Sequence, residues 1–269
     1  MTPTRQRMPV GFGPTPGPRQ GPDGRPFDWS EKPRRTLVSV CFETDPEVLT
    51  SLLPPGFDLE GKPIVTLEVQ FLRELEWLGG RGYNIFGVKF RSRFRGTIDT
   101  AVGPFLSVMW ENLADPILSG REELGYAKLY AEIPEERVFR GHYSYGAGWL
   151  GKPFFQLELQ GLRAAEPVVP TGRDDGVLHY KYIPSTTVLG NADVAVAALT
   201  PFGGAAPQIV SHAVADRFDF AFLRASWEEL PTMAHIVNRL ADLPILARVS
   251  ASRTETLGGR DLSDQRTLC

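Results

Sequence analysis

The sequence predicts a mainly β fold of the α+β class, an antiparallel sheet curled into a barrel or sandwich with a few short helices. Three observations predict it. The run Ile64-Val65-Thr66-Leu67-Glu68-Val69-Gln70-Phe71 alternates with the period of a strand. It places Val65, Leu67, Val69 and Phe71 on one face and Thr66, Glu68 and Gln70 on the other. Further apolar runs lie at 37–42, 105–110, 154–162, 177–183 and 246–252, separated by Gly and Pro clusters. Only two segments carry helical signals.

Along the chain, residues 1–27 come first. They hold five glycines and seven prolines without apolar periodicity. Such a segment is an N-terminal arm that wraps a surface, stays disordered or crosses to a neighbouring subunit. Residues 28–269 follow as a single domain, without an internal repeat or a linker. A short helix is expected from Asp45 to Leu53: Asp45 caps it, Pro46 suits its first turn, and Pro54-Pro55-Gly56 ends it. Gly79-Gly80-Arg81-Gly82 reads as a hairpin turn, since no helical pattern follows to make a phosphate cradle. Arg91, Arg93 and Arg95 alternate on a strand, and a solvated or salt-bridged face accounts for them better than nucleic acid does. A second helix is expected over 231–241, with Ile236, Val237 and Leu240 on one face.

Composition excludes several classes. Of 269 residues 42% are apolar, which sustains a core, and the net charge of -3 argues against a nucleic-acid partner. No apolar run approaches the ~20 residues of a membrane span, and no secretory leader is visible, so a cytoplasmic protein is the default expectation. Cys41 and Cys269 suggest neither a disulfide nor a metal site, and the four histidines lack metal-ligand spacing. No metal or cofactor is implied, and no Gly-x-Ser-x-Gly elbow supports a hydrolase triad. Six lysines accompany 23 arginines. Lysine alone of the two can lose its proton when desolvated, so amine chemistry has few candidates.

One of those candidates stands in Gly120-Arg121-Glu122-Glu123-Leu124-Gly125-Tyr126-Ala127-Lys128-Leu129-Tyr130-Ala131. This run resembles the lysine segment of acetoacetate decarboxylases, where a Gly-Arg-Glu triplet precedes an aromatic residue and the Schiff-base lysine. Lys128 and Tyr126 take those two positions. The segments 35–45 and 62–69 resemble the family's first strands, and Arg35 and Glu68 fall on its active-site arginine and glutamate. Tyr180 to Pro184 and Leu230 to Ser250 resemble later segments, so the likeness spans roughly residues 25–255.

The resemblance implies a cone-like antiparallel β-barrel with an interior active site, assembled as a homo-oligomer. It implies a lyase that needs no cofactor and takes a small keto acid as its partner, without nucleic acid or membrane. Lys128, Glu68, Arg35 and Arg121 would be catalytic, and Tyr126, Trp110, Tyr83 and Glu122 would bind substrate. Two departures bear on the reaction. Leu129 stands where decarboxylases carry a second lysine, and Ile85 follows Tyr83-Asn84 where a glutamate is usual. Decarboxylation of a 3-oxo acid therefore has a rival in aldolase-dehydratase or cyclodehydratase chemistry on a 2-oxo acid such as pyruvate. A non-catalytic barrel holding an apolar small molecule is the reading from another class.

Overall fold

The computed structural model describes residues 4–30, 32–168, 172–202, 207–260, 262 and 264–269, so the first three residues of the arm lie outside it. Fourteen strands form one sheet among these residues. They are β1 (Arg34–Glu43), β2 (Phe57–Leu59), β3 (Ile64–Leu75), β4 (Arg81–Arg95), β5 (Thr100–Glu111), β6 (Lys128–Tyr130), β7 (Arg137–Phe139), β8 (His142–Trp149), β9 (Lys152–Ala164), β10 (Gly176–Pro184), β11 (Ala192–Pro201), β12 (Gln208–Phe222), β13 (Ala247–Leu257) and β14 (Arg266–Leu268). Three short helices accompany them: α1 (Pro46–Thr50), α2 (Ala114–Ser119) and α3 (Ala234–Ala241). The strand order is β14-β11-β10-β5-β4-β3-β1-β13-β12-β9-β8-β7, with β2 on β4 and β6 on β5.

The mainly β expectation holds, with two refinements. The ends of the strand path do not pair, so the sheet is curled but not closed. Two contacts, β10 to β5 and β6 to β5, are parallel. The curl itself is visible in the core. Phe86 of β4 and Phe155 of β9 are five ladder steps apart, yet their rings stack with centroids 3.9 Å apart. Trp110 stacks on the other side of Phe86 at 5.3 Å.

Period-two alternation divides the central strands between two spaces. Val38 and Val40 of β1, Leu67 and Val69 of β3 and Phe86 and Val88 of β4 are buried in the main core. Their neighbours Arg35, Leu37, Glu68, Gln70, Ile85 and Gly87 line a separate cavity on the opposite face. The open volume thus lies on the face of these strands opposite the main core.

Asp45 caps α1 through Glu47 and Val48 N–H, as its position predicts. Gly79 and Gly80 turn the chain between β3 and β4 with φ of 60° and 83°. Arg93 and Arg95 pair with Glu60 and Asp58, and Arg91 with Asp174, so that arginine row is an ion-paired surface. Among the described residues no helix is long and apolar enough to cross a membrane.

Candidate active site

Lys128 opens β6, which pairs in parallel with the end of β5 through Met109. The chain reaches it through α2 and a π turn over Gly120–Leu124, closed by Gly125 at φ 77°. Such turns are common where a side chain must be aimed. A Cβ on Gly120 would lie 2.6 Å from Lys128 Nζ, so only glycine lets the lysine pass. A Cβ on Gly125 would lie 2.5 Å from the Lys181 side chain.

The next two residues of the triplet fix the backbone. Arg121 Nη1 donates to the Lys128 carbonyl at 2.8 Å, and the Glu122 carbonyl accepts from Lys181 Nζ at 2.5 Å. Neither side chain lines the cavity. Arg121 as a catalytic group and Glu122 as a substrate ligand are thus corrected to supports of the Lys128 segment. Trp110 is corrected too. It faces the core, fully buried, and its indole N–H meets Met233 Sδ at 3.2 Å.

The cavity has a volume of about 660 Å³. It gathers Lys128, Glu68, Arg35, Tyr126 and Tyr83 from the expected set. Charged groups not anticipated from sequence join them, Glu111, Arg19, Lys89 and Arg260. Glu111 ends the apolar run of β5, and an acid closing such a run was its only signal. Arg19 lies in the arm, where no periodicity marks it.

Lys128 Nζ donates to the Pro116 carbonyl at 3.0 Å and stands 2.8 Å from Glu111 Oε1. The lysine side chain is 7% exposed and the glutamate side chain 0%. Burial pushes the Lys128 amine below its ordinary pKa; Glu111 opposes this and Arg19 adds to it. Burial pushes the Glu111 carboxyl up, with Lys128 opposing. Apart from Lys128, no hydrogen-bond donor reaches either glutamate oxygen among the described residues. Tyr83 is driven well above its ordinary pKa, first by burial and then by the charge of Glu111, so its phenol stays a donor.

Tyr126 is held from behind. Its hydroxyl meets Thr200 Oγ1 at 2.8 Å, and His179 packs edge-on to its ring at 4.6 Å. His179 Nδ1 faces the Gly125 carbonyl at 3.3 Å, so that nitrogen carries the proton. Its Nε2 then accepts from Thr200, which is 3.2 Å away. Burial lowers the His179 pKa to about 4, keeping it neutral.

A second polar patch faces the cavity from β1, β3 and β4. Lys89 Nζ lies 2.6 Å from Glu68 Oε1, and Gln70 donates to Glu68 Oε2 at 3.1 Å. Arg35 has no hydrogen bond or ion pair among the described residues, and burial lowers its pKa against the pull of Glu68. An arginine so placed is ready for a bidentate carboxylate.

The arm closes one side. Arg5, Arg7 and Arg19 gather on Glu123, at 4.0, 2.9 and 2.5 Å. Pro18 and Arg19 thereby become part of the cavity wall.

Comparisons with known proteins bear on this arrangement. The family profile described as acetoacetate decarboxylase (ADC) matches residues 7–258. Among solved structures the chain is similar to the acetoacetate decarboxylase of Legionella pneumophila subsp. pneumophila str. Philadelphia 1, with 18% identity and a TM-score of 0.66 over 100% of this chain and 98% of that one. It is similar to an acetoacetate decarboxylase-like enzyme from Sphingomonas wittichii RW1, with 17% identity and a TM-score of 0.64 over 87% and 91%. It is also similar to the enduracididine biosynthesis enzyme MppR complexed with pyruvate, with 16% identity and a TM-score of 0.58 over 92% and 94%. No protein of curated function matches the chain in sequence. At these identities the solved structures establish the fold.

Proposed function

Because the chain belongs to the acetoacetate decarboxylase family, we propose that it is a cofactor-independent lyase that forms a Schiff base between Lys128 and a small keto acid, and that it decarboxylates a 3-oxo acid. The observation that carries this reading is the burial of Lys128 at the wall of the cavity, with its pKa held down. An exposed lysine is uncharged only about once in a thousand molecules at pH 7. Desolvation raises that fraction, and only the uncharged amine attacks a carbonyl. Activated lysine in acetoacetate decarboxylase is itself a standing example of this principle.

In the reaction, amine and ketone lose water to give an iminium. The bond from the α-carbon to the carboxylate then breaks, its electron pair moves to the iminium nitrogen, and carbon dioxide leaves. Protonation of the resulting enamine and hydrolysis return the ketone and the free lysine. Negative carboxylate and positive iminium cancel in this step, so apolar surroundings favour it. Leu106, Met109, Leu124 and Val177 supply such surroundings. Arg35 and Glu68 are the groups proposed to meet the acid's polar end and to move a proton.

Condensation of pyruvate is the second reading. The cavity, at about 660 Å³, has room for two small reactants together, and Ile85 and Leu129 depart from the decarboxylase pattern. Borohydride reduction in the presence of acetoacetate or pyruvate tests the shared intermediate, with a stable mass adduct expected on Lys128. Release of carbon dioxide would assign decarboxylation, and a new carbon–carbon bond would assign condensation. Absence of any adduct across a keto-acid panel would defeat both.

A further inference from the structure

Glu111 is the most deeply buried carboxylate in the site, and its partner among the described residues is Lys128 alone. Its side chain is 0% exposed, and apart from the Lys128 ammonium no donor among the described residues reaches either oxygen. Other partly buried glutamates are anchored as structure requires. Glu123 takes Arg7 and Arg19, Glu136 takes Arg253 and Tyr145, and Glu68 takes Lys89 and Gln70. A buried carboxylate that rests on one partner is poorly stabilised in its charged form. Among the described residues the one cation within 4 Å of Glu111 is the amine that has to lose a proton, 2.8 Å away.

We propose that Glu111 is a catalytic acid–base residue that relays protons, one at a time, from the Lys128 nitrogen to the departing oxygen while the Schiff base forms. This rests on the Schiff-base reading above. Glu111 first removes a proton from the ammonium, leaving amine and carboxylic acid. The amine lone pair forms the C–N bond as the carbonyl π pair moves to oxygen, and Glu111 protonates that oxygen. The carboxylate then takes back one N–H proton and delivers it to the hydroxyl. The C–O bond breaks, water leaves, and the nitrogen pair closes the iminium. Ion pair and ketone have become iminium, carboxylate and water, with charge unchanged. Glu111 ends as the counter-ion of the iminium it helped to make.

The position supports this role. Glu111 lies directly across the β4–β5 ladder from Ile85, and both line the cavity. A carboxylate placed on either strand would face the same space. The other titratable groups around the pair are Tyr83 on β4, Tyr126 ahead of β6 and Arg19 from the arm.

The test is Glu111→Gln, read by the single-turnover rate of borohydride trapping and by the pH profile of kcat/KM. The wild type should give a bell, because the pair is active when it holds one proton. In Glu111→Gln trapping should slow by about a hundredfold or more. The alkaline limb should vanish with the acid, leaving a single acid limb set by the Lys128 amine beside a neutral partner, at or above the pH of the wild-type acid limb. In a Glu111→Leu background, Ile85→Glu should restore at least about a tenth of the lost rate by returning the carboxylate from the next strand. A Glu111→Gln protein that traps within threefold of wild type and keeps the bell would overturn the proposal and leave the Schiff base standing. If Glu111→Gln does not fold, a folded Glu111→Leu/Ile85→Glu protein no faster than Glu111→Leu alone overturns it. A wild type that forms no adduct removes the reading beneath it.

Discussion

Two lysine–glutamate pairs face one cavity, and their surroundings separate them. Lys89 and Glu68 stand 2.6 Å apart, with side chains 20% and 14% exposed, and Gln70 supports the carboxylate. Lys128 and Glu111 stand 2.8 Å apart, at 7% and 0%, with no such support. A pair that keeps some water and an extra donor holds its charges at little cost. A pair stripped of both holds them badly, and its proton becomes mobile between the partners. The same two residue types thus make a polar wall in one place and the proposed reactive centre in another.

The sharpest way to break this contrast is to treat the two lysines alike. Lys128→Arg should abolish turnover by about ten-thousandfold or more without unfolding the protein, as expected for loss of a nucleophile. Lys89→Arg should cost about tenfold or less, because an arginine can still pair with Glu68. Equal losses in a steady-state assay would dissolve the distinction. Gly120→Ala probes the aim of Lys128 alone, since the new methyl would crowd its amine. Misplacement by about 1 Å predicts roughly a hundredfold drop in kcat with the melting temperature little changed.

The support behind Lys128 adds a pH signature that the Lys89 side lacks. His179 has a folded-state pKa of about 4, below its ordinary 6.5. The unfolded chain therefore binds the extra proton between those values. Stability is complete above pH 6.5 and falls as the pH drops to 4, by about 3 kcal/mol if the full shift is expressed. Urea titrations should show that slope in the wild type and a flatter one in His179→Gln. The smallest effect belongs to the other wall. Arg35→Gln should raise KM for a keto acid by about tenfold with kcat nearly kept, as for one charge-assisted contact. A loss confined to kcat would move Arg35 to the chemistry.

Much of this contrast was legible in sequence, and unevenly. The alternation of β3 separates core residues from Thr66, Glu68 and Gln70, and two of these, Glu68 and Gln70, line the cavity. The Lys128 run is legible because its parts lie within nine residues, close enough for local pattern. Trp110 was misplaced for a reason the same alternation supplies. Met109 and Glu111 face the cavity, so the residue between them has to face the core. Glu111 itself was hidden because it meets Lys128 through a parallel pairing of β5 and β6, which no short window contains. β4 escaped notice over most of its length since Gly82, Gly87 and alternating arginines blur its apolar pattern. Arg19 was invisible because its place is set by Glu123, over a hundred residues away.

The clasp on Glu123 makes the arm a removable wall. Between Pro22 and Asp28 the chain is largely exposed, while Arg19 behind it is sealed against the site. A protease that cuts this connection would leave every strand of the sheet intact. Release of the arm would take Pro18 and Arg19 out of the cavity wall and open Lys128 to water. A preparation cut there and freed of the arm should keep its sheet and lose the burial that lowers the Lys128 pKa.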